Sequence, residues 1–189
     1  MNISPVYTDF PTVGLNDAQQ AVYSALRELS IAFERVEHEN ADTMEDCVAI
    51  GEKLGADVCK NLVLCNRQKT SFYLLTMPGD KPFFTKDLSH QIGSSRLSFA
   101  STEAMEELLH VQPGSASILS LLFDTEHKVQ LVMDRETKEQ EYFCCHPCKN
   151  DGTLKMKTSD VLNVFLKHTG HEPMTVDLPR YSEEDQQST

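Results

Sequence analysis

The sequence predicts a single compact α/β domain of the α+β kind, a mixed and mostly antiparallel sheet with flanking helices. Three observations predict it. At 189 residues the chain is long enough to bury a substantial core and of ordinary size for one domain. Segments with apolar residues at helical spacing alternate along the chain with short apolar runs of strand character. Several of those runs are separated only by turn residues, which makes hairpins, whereas a doubly wound parallel sheet needs long crossovers.

Asn16 or Asp17 caps a helix reaching Ser30, with Val22, Leu26 and Leu29 at helical spacing. Ile31 to His38 alternates as a strand. Thr43 caps a second helix, with Glu45 and Asp46 in its positively polarised first turn and Gly55 closing it. Val58 to Arg67 and Thr70 to Met77 form a strand pair across a tight turn at Gln68–Lys69. Thr85 to Ile92 is a short helix ended by Gly93, and Arg96 to Ala100 a brief strand. Ser101 or Thr102 caps a helix to Leu109, after which Pro113–Gly114–Ser115 breaks the pattern and begins a short apolar segment to Phe123. Strands at Lys128–Met133 and Glu141–Cys145 flank a charged turn, and Thr153–Met156 adds another. Ser159 caps a last helix ending at Thr169, with Gly170 in the left-handed position. The domain is expected over residues 1–178 and a polar tail over 179–189, where YSEEDQQST offers nothing to bury.

The net charge of −12 argues against a general nucleic-acid binder, DNA included, because phosphate binding needs clustered Lys and Arg. The charge is uneven: −8 over residues 1–57, +4 over 58–99 and −8 over the rest. A small cationic face on an acidic body suits one local anionic group. No apolar run approaches the ~18–20 residues that span a bilayer, so no membrane partner is expected. The start, MNISPVYTDFPTVG, has no basic stretch followed by an apolar one, which points to a cytoplasmic protein. Six cysteines in such a chain are read as reduced thiols.

The segment VCKNLVLCN, Val58 to Asn66, plants Lys60 beside Asn61 at the mouth of an apolar strand, where an ammonium can reach an anionic ligand lying over the sheet. GSSRLSFAS (Gly93 to Ser101) and FCCHPCKNDGT (Phe143 to Thr153) likewise set polar or hydroxylated residues against apolar ones, as a pocket wall requires. A solvated lysine at a strand start is the plain alternative for Lys60, and a histidine bonded to backbone at a strand end is that for His146. Cys145 and Cys148 make a CxxC, but Lys149–Asn150–Asp151–Gly152 after it is turn chemistry, and a dithiol redox site needs a helix there. Cys59 and Cys65 are a poor second pair for zinc, so no metal and no cofactor is expected. The N–H groups at Gly114 and Ser115 can cradle an anion or a developing oxyanion.

Taken in order, Cys59–Lys60–Asn61–Leu62–Val63–Leu64, Ser95–Arg96–Leu97–Ser98–Phe99–Ala100–Ser101, Val111–Gln112–Pro113–Gly114–Ser115, His146–Pro147 with Asn150 and Thr153, and Thr169–Gly170–His171–Glu172–Pro173 resemble the YbaK/ProX family of aminoacyl-tRNA editing proteins. The nearer likeness is to its prolyl-tRNA synthetase-associated branch, which deacylates alanyl-tRNA(Pro). The resemblance spans roughly residues 15 to 178. It implies a YbaK/ProX-like fold with one central pocket, and hydrolysis of the ester joining a wrong amino acid to the tRNA's terminal ribose. A neighbouring ribose hydroxyl then helps activate water, so no protein nucleophile is required. By resemblance, Lys60 holds the phosphate or ribose of the terminal adenosine, Gly114 and Ser115 face the scissile carbonyl, and His146 lines the aminoacyl pocket. Asn61, Arg96, Ser98, Phe99, Pro113, Asn150 and Thr153 complete the substrate contacts. The implied partners are the acceptor end of aminoacylated tRNA(Pro) and, transiently, prolyl-tRNA synthetase. Two other readings share the resemblance: a non-catalytic aminoacyl/tRNA-binding or synthetase-docking module, and a cysteinyl-tRNA(Pro) deacylase. The chain departs from its relatives at Asp151–Gly152–Thr153, where they carry more hydroxyls, and at Ala116–Ser117–Ile118–Leu119, where they carry a proline.

Overall fold

The computed structural model describes residues 1–181. Local chemistry starts the first two helices. Asn16 accepts from the Gln19 N–H while the Gln19 side chain accepts from the Asn16 N–H, opening α1 (Asp17–Glu28). Thr43 and Asp46 exchange the same pair of bonds at the start of α2 (Met44–Leu54), and Gly55 ends it at φ 68°. α3 (Thr85–Ile92) and α4 (Thr102–Leu109) follow, the latter capped by Ser101. After a turn at Pro113–Gly114, Ser117 caps a 3-10 helix over Ile118–Phe123, where the sequence predicts only an apolar segment.

The strands are β1 (Phe33–Glu37), β2 (Cys59–Cys65), β3 (Phe72–Pro78), β4 (Ser98–Phe99), β5 (Val129–Asp134), β6 (Tyr142–Cys145), β7 (Gly152–Lys157) and β8 (Met174–Val176). They form a five-stranded sheet in the order β4-β2-β3-β5-β8 and a three-stranded antiparallel sheet β1-β7-β6. In the larger sheet β2 pairs antiparallel with β3 and β4, while β3–β5 and β5–β8 are parallel. A parallel bridge between Val58 and Cys144 joins the two sheets. The predicted α+β class and mixed, mostly antiparallel pairing are therefore present.

Three elements differ from expectation. The charged turn after β5 is the short helix α5 (Arg135–Glu139), started by Asp134 Oδ1 accepting from the Glu136 N–H at 2.9 Å. The last helical run begins two residues early, as α6 (Thr158–Asp160), widens to a π-helix over Val161–Phe165 and ends as α7 (Leu166–Thr169). Ser159 therefore sits inside it and caps nothing. β8 was not predicted. Of the expected tail, residues 179–181 are tied down instead: Arg180 binds Asp80 and Glu136, and the Tyr181 hydroxyl donates to Asp87 at 2.7 Å. The remainder, 182–189, lies outside the described residues.

Alternation along β2 assigns its two faces. Cys59 and Val63 face the main core with Leu26, Phe143 and Phe165. On the other side Val58 joins Ile50, Leu54 and Cys144 beneath α2, and Leu64 joins Leu75, Leu88 and Val176 beneath α3 and β8. Lys60 has the parity of Val58 and Leu64 and stands between those two small cores. No helix of the described residues is long and apolar enough to cross a membrane.

Candidate functional site beneath helix α2

The Val58–Cys144 bridge draws together the parallel segments that carry Lys60 and His146, each two residues on from it. Both have the parity of the bridged pair, which packs under Ile50 and Leu54 of α2. Asn150, in the turn after His146, holds the approach to α2 by both ends of its amide: Oδ1 accepts from the Ala41 N–H at 3.0 Å and Nδ2 donates to the Ala41 carbonyl at 3.2 Å. Gly114 comes to the same place. A Cβ built on it would lie 3.8 Å from Asn150 Nδ2 with no closer neighbour, and its φ of 84° is the reason it is glycine. Gly114 and Asn150 thus meet at the N-terminal approach to α2, while the partners of Lys60 (the Lys81 carbonyl) and of His146 (the Gly152 carbonyl) are separate from theirs.

The hydrogen bonds around His146 fix its tautomer. Nδ1 lies 2.8 Å from the Gly152 carbonyl, so Nδ1 carries the proton and Nε2 keeps its lone pair. His38 is arranged alike, with Nδ1 at 2.7 Å from the Glu39 carbonyl and Nε2 at 2.9 Å from Thr153 Oγ1, whose hydroxyl donates. The two rings lie 5.8 Å apart. Burial pushes the pKa of His146 below the usual imidazole value, and His38 adds to that push. A neutral ring with an unused acceptor nitrogen is the chemistry on offer. Asp151, at the first departure from the relatives, accepts from Gln19 Nε2 at 2.9 Å and pairs with Lys149, which staples this turn to α1.

The Lys60 ammonium is partly buried and donates to the Lys81 carbonyl at 2.9 Å. Burial lowers its pKa and the carboxylate of Asp80 works the other way. Asp80, together with Cys47, Val48 and Val58, lines an open groove of about 560 Å³ along α2, whose lining includes neither Lys60 nor Gly114, His146 or Asn150. A groove of about 620 Å³ lies at the opposite end of the larger sheet, around Thr70, Gln130 and His171, and holds none of the candidate residues.

The other candidates are distributed differently. Asn61 faces away from Lys60, toward the main core, with Nδ2 at 3.4 Å from the Cys59 carbonyl and Oδ1 buried without a partner. Ser98 pairs with Cys65, five residues along β2 from Lys60, which is about 17 Å at strand rise. Phe99 is 62% exposed beside it, against Phe83, and Arg96 is exposed on the same edge. That segment is therefore not part of the convergence beneath α2. Pro113 is exposed in the turn, and the Ser115 N–H, expected to face a substrate carbonyl, is spent on the Gln112 carbonyl at 3.0 Å. Thr153 is fully buried and acts on His146 and His38, not at a surface.

Sequence reasoning missed His38, Asp80 and Lys81. His38 carried the same signal as His146, a histidine at the end of a predicted strand; the other two carried none. Burial disfavours the thiolate at four cysteines: it pushes Cys144 and Cys145 up to about 12 and drives Cys59 and Cys148 upward as well. Among the described residues no three His, Cys, Asp or Glu side chains form a metal-holding group.

Comparison with known proteins gives the following. The family model of the aminoacyl-tRNA editing domain matches residues 38–164. The chain is 31% identical to prolyl-tRNA synthetase associated domain-containing protein 1 of Danio rerio, over 84% of this chain and 86% of that one. It is 30% identical to the prolyl-tRNA editing protein ProX of Acetoanaerobium sticklandii, over 86% and 98% respectively. Among solved structures, one described as a candidate trans-editing enzyme for prolyl-tRNA synthetase superposes with a TM-score of 0.64 at 15% identity, covering 88% of this chain and all of that one. At that identity it speaks to the fold.

Proposed function

The chain belongs to the aminoacyl-tRNA editing domain family, in the branch of ProX and the prolyl-tRNA synthetase associated domain proteins, and from that premise we propose that it is a trans-acting deacylase of mischarged tRNA(Pro), with alanyl-tRNA(Pro) as its substrate. What supports this reading is that Gly114 and Asn150 meet at the approach to α2 while the Val58–Cys144 bridge draws together the segments that carry Lys60 and His146.

An aminoacyl ester is already activated, so the protein mainly has to position it and polarise its carbonyl. The Lys60 ammonium holds the phosphate or ribose of the terminal adenosine. A point charge on a flexible stem suits that task. The Gly114 N–H faces the ester carbonyl, with glycine allowing close approach. His146 Nε2 accepts a hydrogen bond from the substrate's α-ammonium and closes the aminoacyl pocket, while the ribose hydroxyl beside the ester helps activate water. Size supports alanine. A synthetase for proline gains only ~1–3 kcal/mol against a smaller side chain, whereas a second pocket too small for proline excludes it by repulsion. Contacts limited to the acceptor end fit the acidic body, and transient docking on prolyl-tRNA synthetase would supply the rest of the tRNA.

The test is release of amino acid from alanyl-, cysteinyl- and prolyl-tRNA(Pro). Rapid loss of alanine with prolyl-tRNA(Pro) intact is expected. Preferential loss of cysteine would reassign the substrate, and release from none of the three would leave a binding module.

A further inference from the structure

The segment after β8 lies beyond the family-matched residues, yet it reaches the support of Lys60. The Lys81 side chain is 1% exposed, and its ammonium is held by Asp134 Oδ2 at 2.8 Å, Glu136 Oε1 at 2.9 Å and the Leu178 carbonyl at 2.8 Å. Lys81 closes a tight turn from Pro78 (its N–H donates to the Pro78 carbonyl at 3.2 Å), and the carbonyl of that same residue receives Lys60. Gly79 within the turn tolerates no side chain, since a Cβ would lie 2.4 Å from the Val58 carbonyl. Asp80 is therefore carried on a rigid turn beside the Lys60 ammonium, and its carboxylate acts on that charge.

An aspartate so placed is an intramolecular competitor for any anion that Lys60 is to bind. Its high effective concentration would favour it over a ligand from solution. Arg180 engages it with a planar fork: Nη1 lies 3.0 Å from Asp80 Oδ2 and Nη2 3.3 Å from Oδ1, while Nε and Nη2 also reach the Glu136 carboxylate. Such a bidentate grip satisfies both carboxylate oxygens and fixes their direction.

We propose that Arg180 is a positioning residue of the Lys60 site, holding the Asp80 carboxylate away so that the ammonium stays open to the anionic end of the tRNA. This rests on the deacylase reading above. The claim extends the functional unit past the family domain, into the segment that supplies Leu178 and Arg180.

The experiment is single-turnover deacylation of alanyl-tRNA(Pro) at rising enzyme concentration with the full chain. It compares wild type, Arg180→Ala, Asp80→Asn, the double variant and Lys60→Ala. Arg180→Ala should raise the half-saturating enzyme concentration roughly fivefold to tenfold with the maximal rate within about twofold. Adding Asp80→Asn should bring it back to within about twofold of wild type, because the competitor has lost its charge. A role confined to stability would not be rescued this way, so an uncorrected double variant, or an Arg180→Ala enzyme that saturates normally, overturns the proposal. Arg180→Gln replaces Arg180→Ala should the latter not fold. A second readout is independent of turnover. The rate at which an amine-acylating reagent labels Lys60, read by mass spectrometry, should fall in Arg180→Ala and recover in the double variant; no change overturns the proposal. Lys60→Ala separates the two claims. Full deacylation by that variant would remove the nucleotide role of Lys60, while the labelling still decides the Arg180–Asp80 coupling.

Discussion

At the scale of single residues, Lys60 and His146 each spend a hydrogen bond on a main-chain carbonyl, that of Lys81 and that of Gly152. In the sequence both stood out because an ammonium and an imidazole sit at the ends of apolar strands. What each touches could not be read, since the Lys60 acceptor is 21 residues away and is a carbonyl that every residue carries. Asn61 shows the converse: adjacency to Lys60 put it in the same motif, but strand alternation turns it to the other face. The state of His146 leads to a pH prediction. Burial and His38 hold its folded pKa below the ordinary value of about 6.5, so between the two values the unfolded chain binds more protons than the folded one. Stability from this group is present above about pH 6.5 and is lost as pH falls through that value toward the folded pKa. His146→Gln should flatten the decline of Tm between about pH 6.5 and 5, measured by thermal melting across buffers. An equally steep decline in the variant would place the titration elsewhere.

At the scale of elements, local signals were legible and long-range pairing was not. The caps of α1 and α2 are written within three residues of each other and formed as read. α5 was missed because Arg135–Glu139 has no apolar periodicity; the one side chain it buries is Thr137. β8 was missed because three residues pairing parallel to β5 leave no local pattern. The predicted strand at residues 96–100 shrinks to Ser98–Phe99, and its register with Cys65 carries it away from Lys60. The turn at Gly114 offers a test at this level. Alanine there would meet no atom closer than 3.8 Å, so its cost is conformational, about 1–2 kcal/mol for an L residue forced to positive φ. Gly114→Ala should lower Tm by roughly 2–8 °C in a chain of this size. Deacylation should fall by more than the unfolded fraction explains, since the Gly114 N–H moves with the turn. Activity that merely tracks folded protein would argue against that N–H as the polarising group.

At the scale of the whole molecule, the α+β class followed from alternation and hairpins, and ordered blocks of residues pointed to the family. The ionic cluster behind the site was invisible to both, because Lys81, Asp134 and Arg180 are ordinary charges in a charged sequence. Its burial makes it a stability determinant. Lys81→Met leaves Asp134 charged and wholly buried, at a cost of about 3–5 kcal/mol. Adding Asp134→Asn removes the stranded charge and keeps an acceptor for one of the two N–H groups, Glu136 or Leu178, that the carboxylate serves, and should recover about 1 kcal/mol. Urea unfolding of the two variants decides it; equal losses would mean that the stranded charge is not the source. The hydrogen bond from Lys81 to Leu178 also has a kinetic side, for its two ends are 97 positions apart. Closing so long a loop comes late in a folding reaction, and synthesis at ~5–20 residues per second delays it further. A nascent chain can assemble both sheets' earlier strands while Lys81 still lacks its last acceptor, so editing competence should arrive abruptly, once Leu178 and Arg180 have left the ribosome.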